Sequence, residues 1–467
     1  MRILLVLTEI NQKFGALGAA HGLMSISAYL KQKGFSDIHF GYYPEKDYLE
    51  KWQEDLKRIR PQLIGIYTTA PQFQFIQKMV QAVSDPVPFI ILGGPHPTIF
   101  PQCLDQTPRL NAICLGEGEY PMFELAQALE QGKDYTQIKN LWVMGDGRLI
   151  QNPTRPFIQD LDSLPFVDRE LSDHQKVIDN WGLSQIRIMA GRGCPFNCTF
   201  CSNHRIRKLQ EGGYVRFRSA DHIIEEIKML QKRYRFNEIL FDDDICWIDR
   251  DLVHEFADRY KKEIGLPFMF SGRVEILDRD KLTKLKEAGG TRVGFGVEHG
   301  DQTFRHTVLR RNMTNKQILE VSQIAKEVGL QVKTLNMVGL PGETLELHQA
   351  TIKINQQIKP DVVGVTIFYP MPGTDLYDLC LEKGYFKEES ASLGDEDTIF
   401  KRSLLRMPQF QPKEIEKAMR WFTFKVFWPF SKIKAFGYWV LYSKYGEPLL
   451  NFMSHLRRPL RKLLKGL

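Results

Sequence analysis

Three of the chain's seven cysteines, Cys194, Cys198 and Cys201, fall four and three residues apart in Arg192-Gly-Cys-Pro-Phe-Asn-Cys-Thr-Phe-Cys-Ser202. Thiolates at such spacing hold metal. A [4Fe-4S] cube takes four thiolates, so a group of three leaves one iron open to a small molecule. Zinc is the alternative; it wants a fourth ligand, and His204 stands close by. Three unrelated buried cysteines are a poorer reading, because the segment is rich in Gly, Pro and Asn. The seven cysteines are too few and too uneven for a disulfide framework, and Cys103, Cys114 and Cys380 read as structural. Cys246 follows three aspartates and is also a candidate metal or substrate ligand, against the commoner fate of a small buried hydrophobe.

Three further segments carry candidate binding groups. Phe241-Asp-Asp-Asp-Ile245 places carboxylates, Asp243 among them, where a strand ends. Gly294-Phe-Gly-Val-Glu-His-Gly300 and Gly339-Leu-Pro-Gly-Glu343 each follow a strand with a glycine turn and a carboxylate, Glu298 and Glu343. Taken singly, such features also read as strand-capping turns and helix caps.

The cysteine segment, with aromatic Phe200 before the last cysteine, resembles the signature of radical S-adenosylmethionine (SAM) enzymes. The resemblance continues for about 200 residues. It implies a [4Fe-4S] cluster on Cys194, Cys198 and Cys201, with SAM chelating the open iron and cleaved to a 5′-deoxyadenosyl radical. It also implies that Phe200, Asp243, Glu298, Gly339 and Glu343 lie around SAM. Glu298 falls in a segment like the family's Gly-Val-Glu-Ser-Gly element, with His299 replacing the serine. The turn at Gly339 is like the one that approaches adenine.

The elements that must position these groups form two alternating series. Apolar runs at 2–8, 38–43, 63–69, 89–94 and 112–116 alternate with helical periodicity at 22–33, 48–59, 73–83 and 120–131, the pattern of a doubly wound parallel sheet. A second series has strands at 185–191, 238–242, 268–271, 292–297, 332–338 and 362–369, with helices such as 223–234, 281–288 and 315–328 between them. Six such units suit a partial barrel, open on one side. The expected fold is α/β. A Rossmann-like domain spans 1–145, a Pro-rich linker 146–180, the barrel 181–395, and a helical, basic and aromatic region 396–467.

With the barrel in place, the first domain resembles the cobalamin-binding domain of the cobalamin-dependent (class B methyltransferase-like) radical SAM enzymes. Ile90-Ile-Leu-Gly-Gly-Pro-His96, Leu115-Gly-Glu-Gly-Glu119, residues 22–34 and Asp160-Leu-Asp-Ser-Leu-Pro165 carry the likeness. Gly93, Gly94, Gly116 and Gly118 would let backbone approach a bulky ligand. The Asp-x-His-x-x-Gly motif that supplies a histidine to cobalt elsewhere is absent; His21 and His96 do not complete it. A sheet of this kind that binds another ligand is the alternative.

Hydrophobic content of 43% and charged content of 25% describe an ordinary globular chain, and 467 residues suggest two or three units. Neither a signal peptide nor a spanning helix is expected. Residues 421–467 hold nine Lys or Arg against Glu447, a local +8; with +7 overall, the preceding residues sum to −1. Such a distribution argues against a nucleic-acid partner. Residues 421–442 read first as a helical cap over the barrel and second as an interfacial anchor, and 457–465 as a solvated or membrane-facing basic stretch. The expected location is cytoplasmic, with a peripheral place at the inner membrane face as the variant the tail raises.

The resemblance implies an enzyme that methylates an unactivated carbon of a small-molecule or lipid-like substrate, with a flavodoxin or ferredoxin as electron donor. Oxidative cyclisation or rearrangement is the alternative within the same cofactor class. A non-catalytic sensor is the alternative outside it. Methylthiolation is disfavoured, since the first domain lacks three extra cluster cysteines. No catalytic residue can be assigned.

Overall fold

The computed structural model describes residues 1–10, 20–145, 147–179, 184–246, 248–387 and 402–441. The first sheet has seven strands: β1 (Ile3–Thr8), β2 (Ile38–Tyr43), β3 (Leu63–Tyr67), β4 (Phe89–Gly93), β5 (Ala112–Cys114), β6 (Leu141–Gly145) and β7 (Arg148–Gln151). Their spatial order is β2-β1-β3-β4-β5-β6-β7. The first five are parallel in the doubly wound arrangement, whose ligand crevice lies at the carboxyl ends of the strands. Every residue of β1 is buried, which follows from a strand covered on both faces. Trp52 of the Tyr48–Ile59 helix fastens one layer, fully buried with its indole N–H donating to the Met79 carbonyl at 2.8 Å.

Strands β6 and β7 correct the expected boundary of the linker. They form an antiparallel hairpin on the β5 edge, so the sheet continues to Gln151, beyond the expected start of the linker at 146. The segment that follows is irregular, with short helical turns at Leu161–Ser163 and Arg169–Leu171.

The second sheet runs β15-β14-β13-β12-β11-β8 and is parallel throughout. Its strands are β8 (Gln185–Ile188), β11 (Glu238–Phe241), β12 (Phe268–Gly272), β13 (Gly290–Glu298), β14 (Gln331–Val338) and β15 (Val362–Ile367). With β8 and β15 both at edges, the barrel is incomplete, as expected. Two short strands, β9 (Gly191–Arg192) and β10 (Arg216–Phe217), pair antiparallel above it.

The Pro412–Phe427 helix lies against β14, β15 and the Leu345–Ile358 helix, burying Ile415, Phe422, Val426 and Phe427. This inner face behaves as the cap does in the first reading of the region. The outer side, with the following Lys432–Leu441 helix, exposes Trp428 at 40%, Ile433 at 88%, Phe436 at 52% and Trp439 at 40%. The basic stretch 457–465 lies outside the described residues.

Candidate active site

The carboxyl ends of the two sheets face one cavity of about 580 Å³. Gly93, Gly94, Gly116 and Gly118 line it from the first sheet, and Leu161, Leu164 and Pro165 from the linker segment. Arg192, Gly193, Ser202, Asn203 and Asp244 line it from the barrel. Gly94 leaves no room for a side chain in the first wall. It has a φ of +95°, and a Cβ there would meet the Tyr67 ring at 2.9 Å and the Thr68 carbonyl oxygen at 3.0 Å. Gly94→Val is therefore expected to close this wall and to leave refolded protein with less than a tenth of the wild-type bound cobalamin absorbance, at an unchanged iron content. Full retention of the corrin would place it elsewhere.

The cysteine loop begins where β8 and β9 leave the barrel. Gly193 has a φ of +89°, and its missing side chain lets the backbone pass against the Tyr214 carbonyl. Cys198 is 7% exposed, while Cys194 and Cys201 are partly exposed. The Arg273 and Arg311 guanidiniums donate to Cys198 Sγ at 3.1 and 3.5 Å, and Arg273 stacks on Phe196 at 3.7 Å. Burial, then the neighbouring Cys198 thiol, raises the pKa of Cys201 to about 11; Cys194 moves the same way. Among the described residues no three His, Cys, Asp or Glu side chains are gathered closely enough to hold an ion. The donor set still fits an iron–sulfur cluster. Three thiols share one loop, two guanidiniums stand ready to balance thiolate charge, and the loop meets a cavity able to take a further ligand. His204 is poorly placed as a fourth zinc ligand. Its Nδ1 faces the Cys201 carbonyl at 2.6 Å and its Nε2 faces Asp375 at 3.2 Å.

The other sequence candidates separate into those that reach the cavity and those that do not. All four glycines named above do. Asp243 is turned inward, accepting from the Gly191 N–H and from Cys246 Sγ at 3.3 Å, whereas Asp242 and Asp244 both line the cavity, Asp244 beside Asn203. Burial pushes the Asp243 carboxyl up to about 7. Cys246 is 1% exposed, the small buried hydrophobe of the commoner reading. Phe200 packs against the C-terminal core. Glu298 holds a φ of +61° near Arg311 and Arg273, its carboxyl raised by burial. Glu343 does not reach outward. It is fully buried, and its Oε2 accepts from the Gly339 and Leu340 N–H groups at 2.6 and 3.1 Å. Gly339 lets its turn pack on Ile415.

Sequence reasoning missed the junction between the two halves. Arg192 donates to Glu117 at 2.8 Å and to Glu119 at 2.6 Å; Arg216 donates to both Glu117 oxygens at 3.0 Å. Ser25 completes the group by donating to Glu119 at 2.6 Å. Burial opposes ionisation of Glu119, but the Arg192 guanidinium prevails and holds its carboxyl below the usual range. The glutamates of the Gly-Glu-Gly-Glu segment thus tie the first sheet to the cysteine loop.

Neither candidate histidine resembles a metal ligand held ready. His96 lies between the Phe73 and Phe100 rings at 4.5 and 5.6 Å, and burial lowers it to about 4. The native state then resists a proton that the unfolded chain accepts below pH about 6.5. Stability from His96 is present above that pH and lost as pH falls towards 4, by roughly 2 kcal/mol at pH 5. Urea titrations at pH 7 and 5 should show this loss in the wild type and a smaller one in His96→Phe. His21 lines the cavity and is lowered by burial and then by Arg169.

The comparisons with known proteins agree with this geometry. The radical SAM superfamily profile matches residues 188–353, and the B12 binding domain profile matches residues 9–126. The chain is 29% identical over 390 residues, 82% of itself and 83% of the relative, to an uncharacterized methyltransferase of Pyrococcus horikoshii. It is 28% identical to the anaerobic magnesium-protoporphyrin IX monomethyl ester cyclase of Rubrivivax gelatinosus, over 75% of this chain and 64% of that one. Its fold matches the radical SAM methyltransferase TsrM from Kitasatospora setae with a TM-score of 0.65 at 15% identity, over 82% of this chain and 76% of that one. A partial barrel whose first strand leads into three cysteines defines a radical SAM enzyme. More narrowly, the chain joins a radical SAM domain to a B12-binding domain, the combination of the cobalamin-dependent radical SAM enzymes. Its cofactors are SAM, a [4Fe-4S] cluster and cobalamin.

Proposed function

We propose that this enzyme methylates an unactivated carbon of a small molecule. The observation that carries the reading is the single cavity lined both by the glycine turns of the B12-binding sheet and by the barrel residues flanking the cysteine loop. When bound, the cluster and SAM supply a 5′-deoxyadenosyl radical, and cobalamin supplies a transferable methyl group. In this reading Cys194, Cys198 and Cys201 hold the cluster, and Gly93, Gly94, Gly116 and Gly118 leave room for the corrin. Phe200, Asp243, Glu298, Gly339 and Glu343 shape the SAM side, with Asp243, Gly339 and Glu343 acting through the backbone they hold. Asp244, at the cavity wall beside Asn203, is a carboxylate placed to meet an ammonium group. A flavodoxin or ferredoxin supplies the electron.

The test is anaerobic reconstitution with iron, sulfide and cobalamin, then incubation with methyl-labelled SAM and a small-molecule extract from cells lacking the enzyme. A labelled product formed together with 5′-deoxyadenosine is expected. Deoxyadenosine with an unlabelled, cyclised or rearranged product would move the assignment to the second reading, which the cyclase relative favours.

The exposed Trp428, Ile433, Phe436 and Trp439, with Lys432 over the Trp428 ring at 3.5 Å, support a peripheral membrane contact by the C-terminal region. Basic residues near an anionic bilayer contribute roughly 1 kcal/mol each. Sedimentation with anionic vesicles that weakens with salt, and weakens again without residues 450–467, is the expected outcome. Protein that stays in the supernatant at low salt excludes the contact.

A further inference from the structure

Side chains alternate between the two faces of each barrel strand. Ile186 and Ile188 of β8, Phe268 and Phe270 of β12, Val293 and Phe295 of β13, and Val332 and Thr334 of β14 are buried on the helix-covered face. The residues between them therefore turn to the concave face, inside the barrel. A closed barrel fills that space with branched side chains. Here the face offers Ser271, Gly294 and Gly364, and Leu335, on an interior strand, stays 37% exposed. The interior is open.

It is also charged. Arg187, Arg292 and Lys333 face it together, and Lys333 passes beside Gly294, where a Cβ would meet its Cδ at 3.9 Å. Arg187 donates to Asp242 at 3.2 Å. Among the described residues Arg292 finds only the neutral Gln331 amide oxygen, at 2.8 and 3.1 Å, and the Met269 sulfur at 3.2 Å. Lys333 has no hydrogen-bond or ion-pair partner among the described residues. Of the other acids on this face, Glu298 lies beside Arg273 and Arg311, and Glu238, at the start of β11, accepts from the Gln185 amide at 2.9 Å. Of the three cations only Arg187 has a carboxylate within hydrogen-bond reach among the described residues, Asp242. Burial, then the Arg292 and Arg187 guanidiniums, lowers the Lys333 ammonium from its ordinary range. An incoming anion would relieve that repulsion.

We propose that the concave face of the barrel is an anion site, formed by Lys333, Arg292 and Arg187, that receives the substrate by a phosphate or carboxylate group. The substrate is then an acid, held at its charged end below the cysteine loop. This rests on reading the barrel as the place where a small-molecule substrate is modified.

The test is calorimetric titration of the reconstituted full-length protein with inorganic phosphate and, separately, with malonate, at low ionic strength. Wild type should bind at least one of them, and the preferred one tells a phosphate from a carboxylate substrate. Lys333→Met and Arg292→Met should each weaken binding by tenfold or more, and Lys333→Arg should restore it. Lys228→Met, which removes a lysine paired with Glu225 and Glu263 on an outer helix, should change nothing. These side chains face open space, and unfolding midpoints check that each variant folds. Absence of binding to wild type, or equal binding by all variants, overturns the proposal. Anion binding as described, without methyl transfer to any acidic acceptor, would leave the site standing and remove the methyl-transfer reading instead.

Discussion

Cys198→Ala is expected to give a folded protein that holds no [4Fe-4S] cluster and cleaves SAM at background level. Two thiolates cannot anchor a cube that already lacks its fourth protein ligand. Cys198 is the most buried of the three, and it receives both the Arg273 and the Arg311 guanidiniums. Its loss removes a ligand and leaves two buried cations without the thiolate they face. Anaerobically reconstituted wild type should carry about four irons per chain, and the variant less than about one. Iron analysis, the absorbance of the cluster and 5′-deoxyadenosine release read the result independently. A variant that keeps its iron and cleaves SAM would mean that the loop does something else. Zinc with little iron in the wild type would return the site to the zinc alternative.

The second large effect is expected at the junction of the two halves. Arg192→Met strips the cation from Glu119, which is 3% exposed, and leaves Glu117 with Arg216 alone. Removing one partner of a buried ion pair costs about 3 to 5 kcal/mol, because the other charge is left without compensation. Arg192 keeps 25% of its side chain in solvent, which places the effect near the lower end of that range. Replacing both ions with apolar side chains of similar volume is often close to neutral. Arg192→Met combined with Glu119→Leu should therefore recover much of the loss. Chemical denaturation of the two single variants and the double variant forms a closed cycle that isolates the pair. A single-variant loss below about 1 kcal/mol would show that the pair behaves like a surface one. Cobalamin retention should fall with Arg192→Met, because the same pair sits beside the glycine turns.

Much of this was legible in the residues. The parallel strands are continuous apolar runs because both of their faces are covered, and β1, β3 and β4 could hardly be read otherwise. The cysteine loop announced itself by spacing, and the four glycines by their place at strand ends. The β6–β7 hairpin was missed although its signal was present, an Asp-Gly pair at 146–147 between two apolar stretches. Nearby prolines drew that segment into the linker. Strand-end register misled in another way. Three consecutive aspartates point in different directions, and the one that turned inward is held by the Gly191 N–H, a partner 52 residues earlier. Glu343 looked like a ligand because its turn is glycine-rich. The turn's own N–H groups needed an acceptor, and the nearest carboxylate supplied it. The Arg192–Glu119 pair spans 73 residues and both halves of the molecule, a distance over which hydrophobic periodicity carries no information.

That pair bears on how such proteins can be recombined. Arg192 is two residues from Cys194, and Glu117 and Glu119 flank Gly118, which lines the cavity. The gap between the cysteine loop and the glycine wall is therefore gauged by a handful of charges, while the long connecting segment merely permits it. A hybrid that takes its first sheet from one relative and its barrel from another inherits both binding walls without their spacing, unless the residues at 117, 119, 192 and 216 travel together. Those four positions form the smallest unit that must be inherited whole.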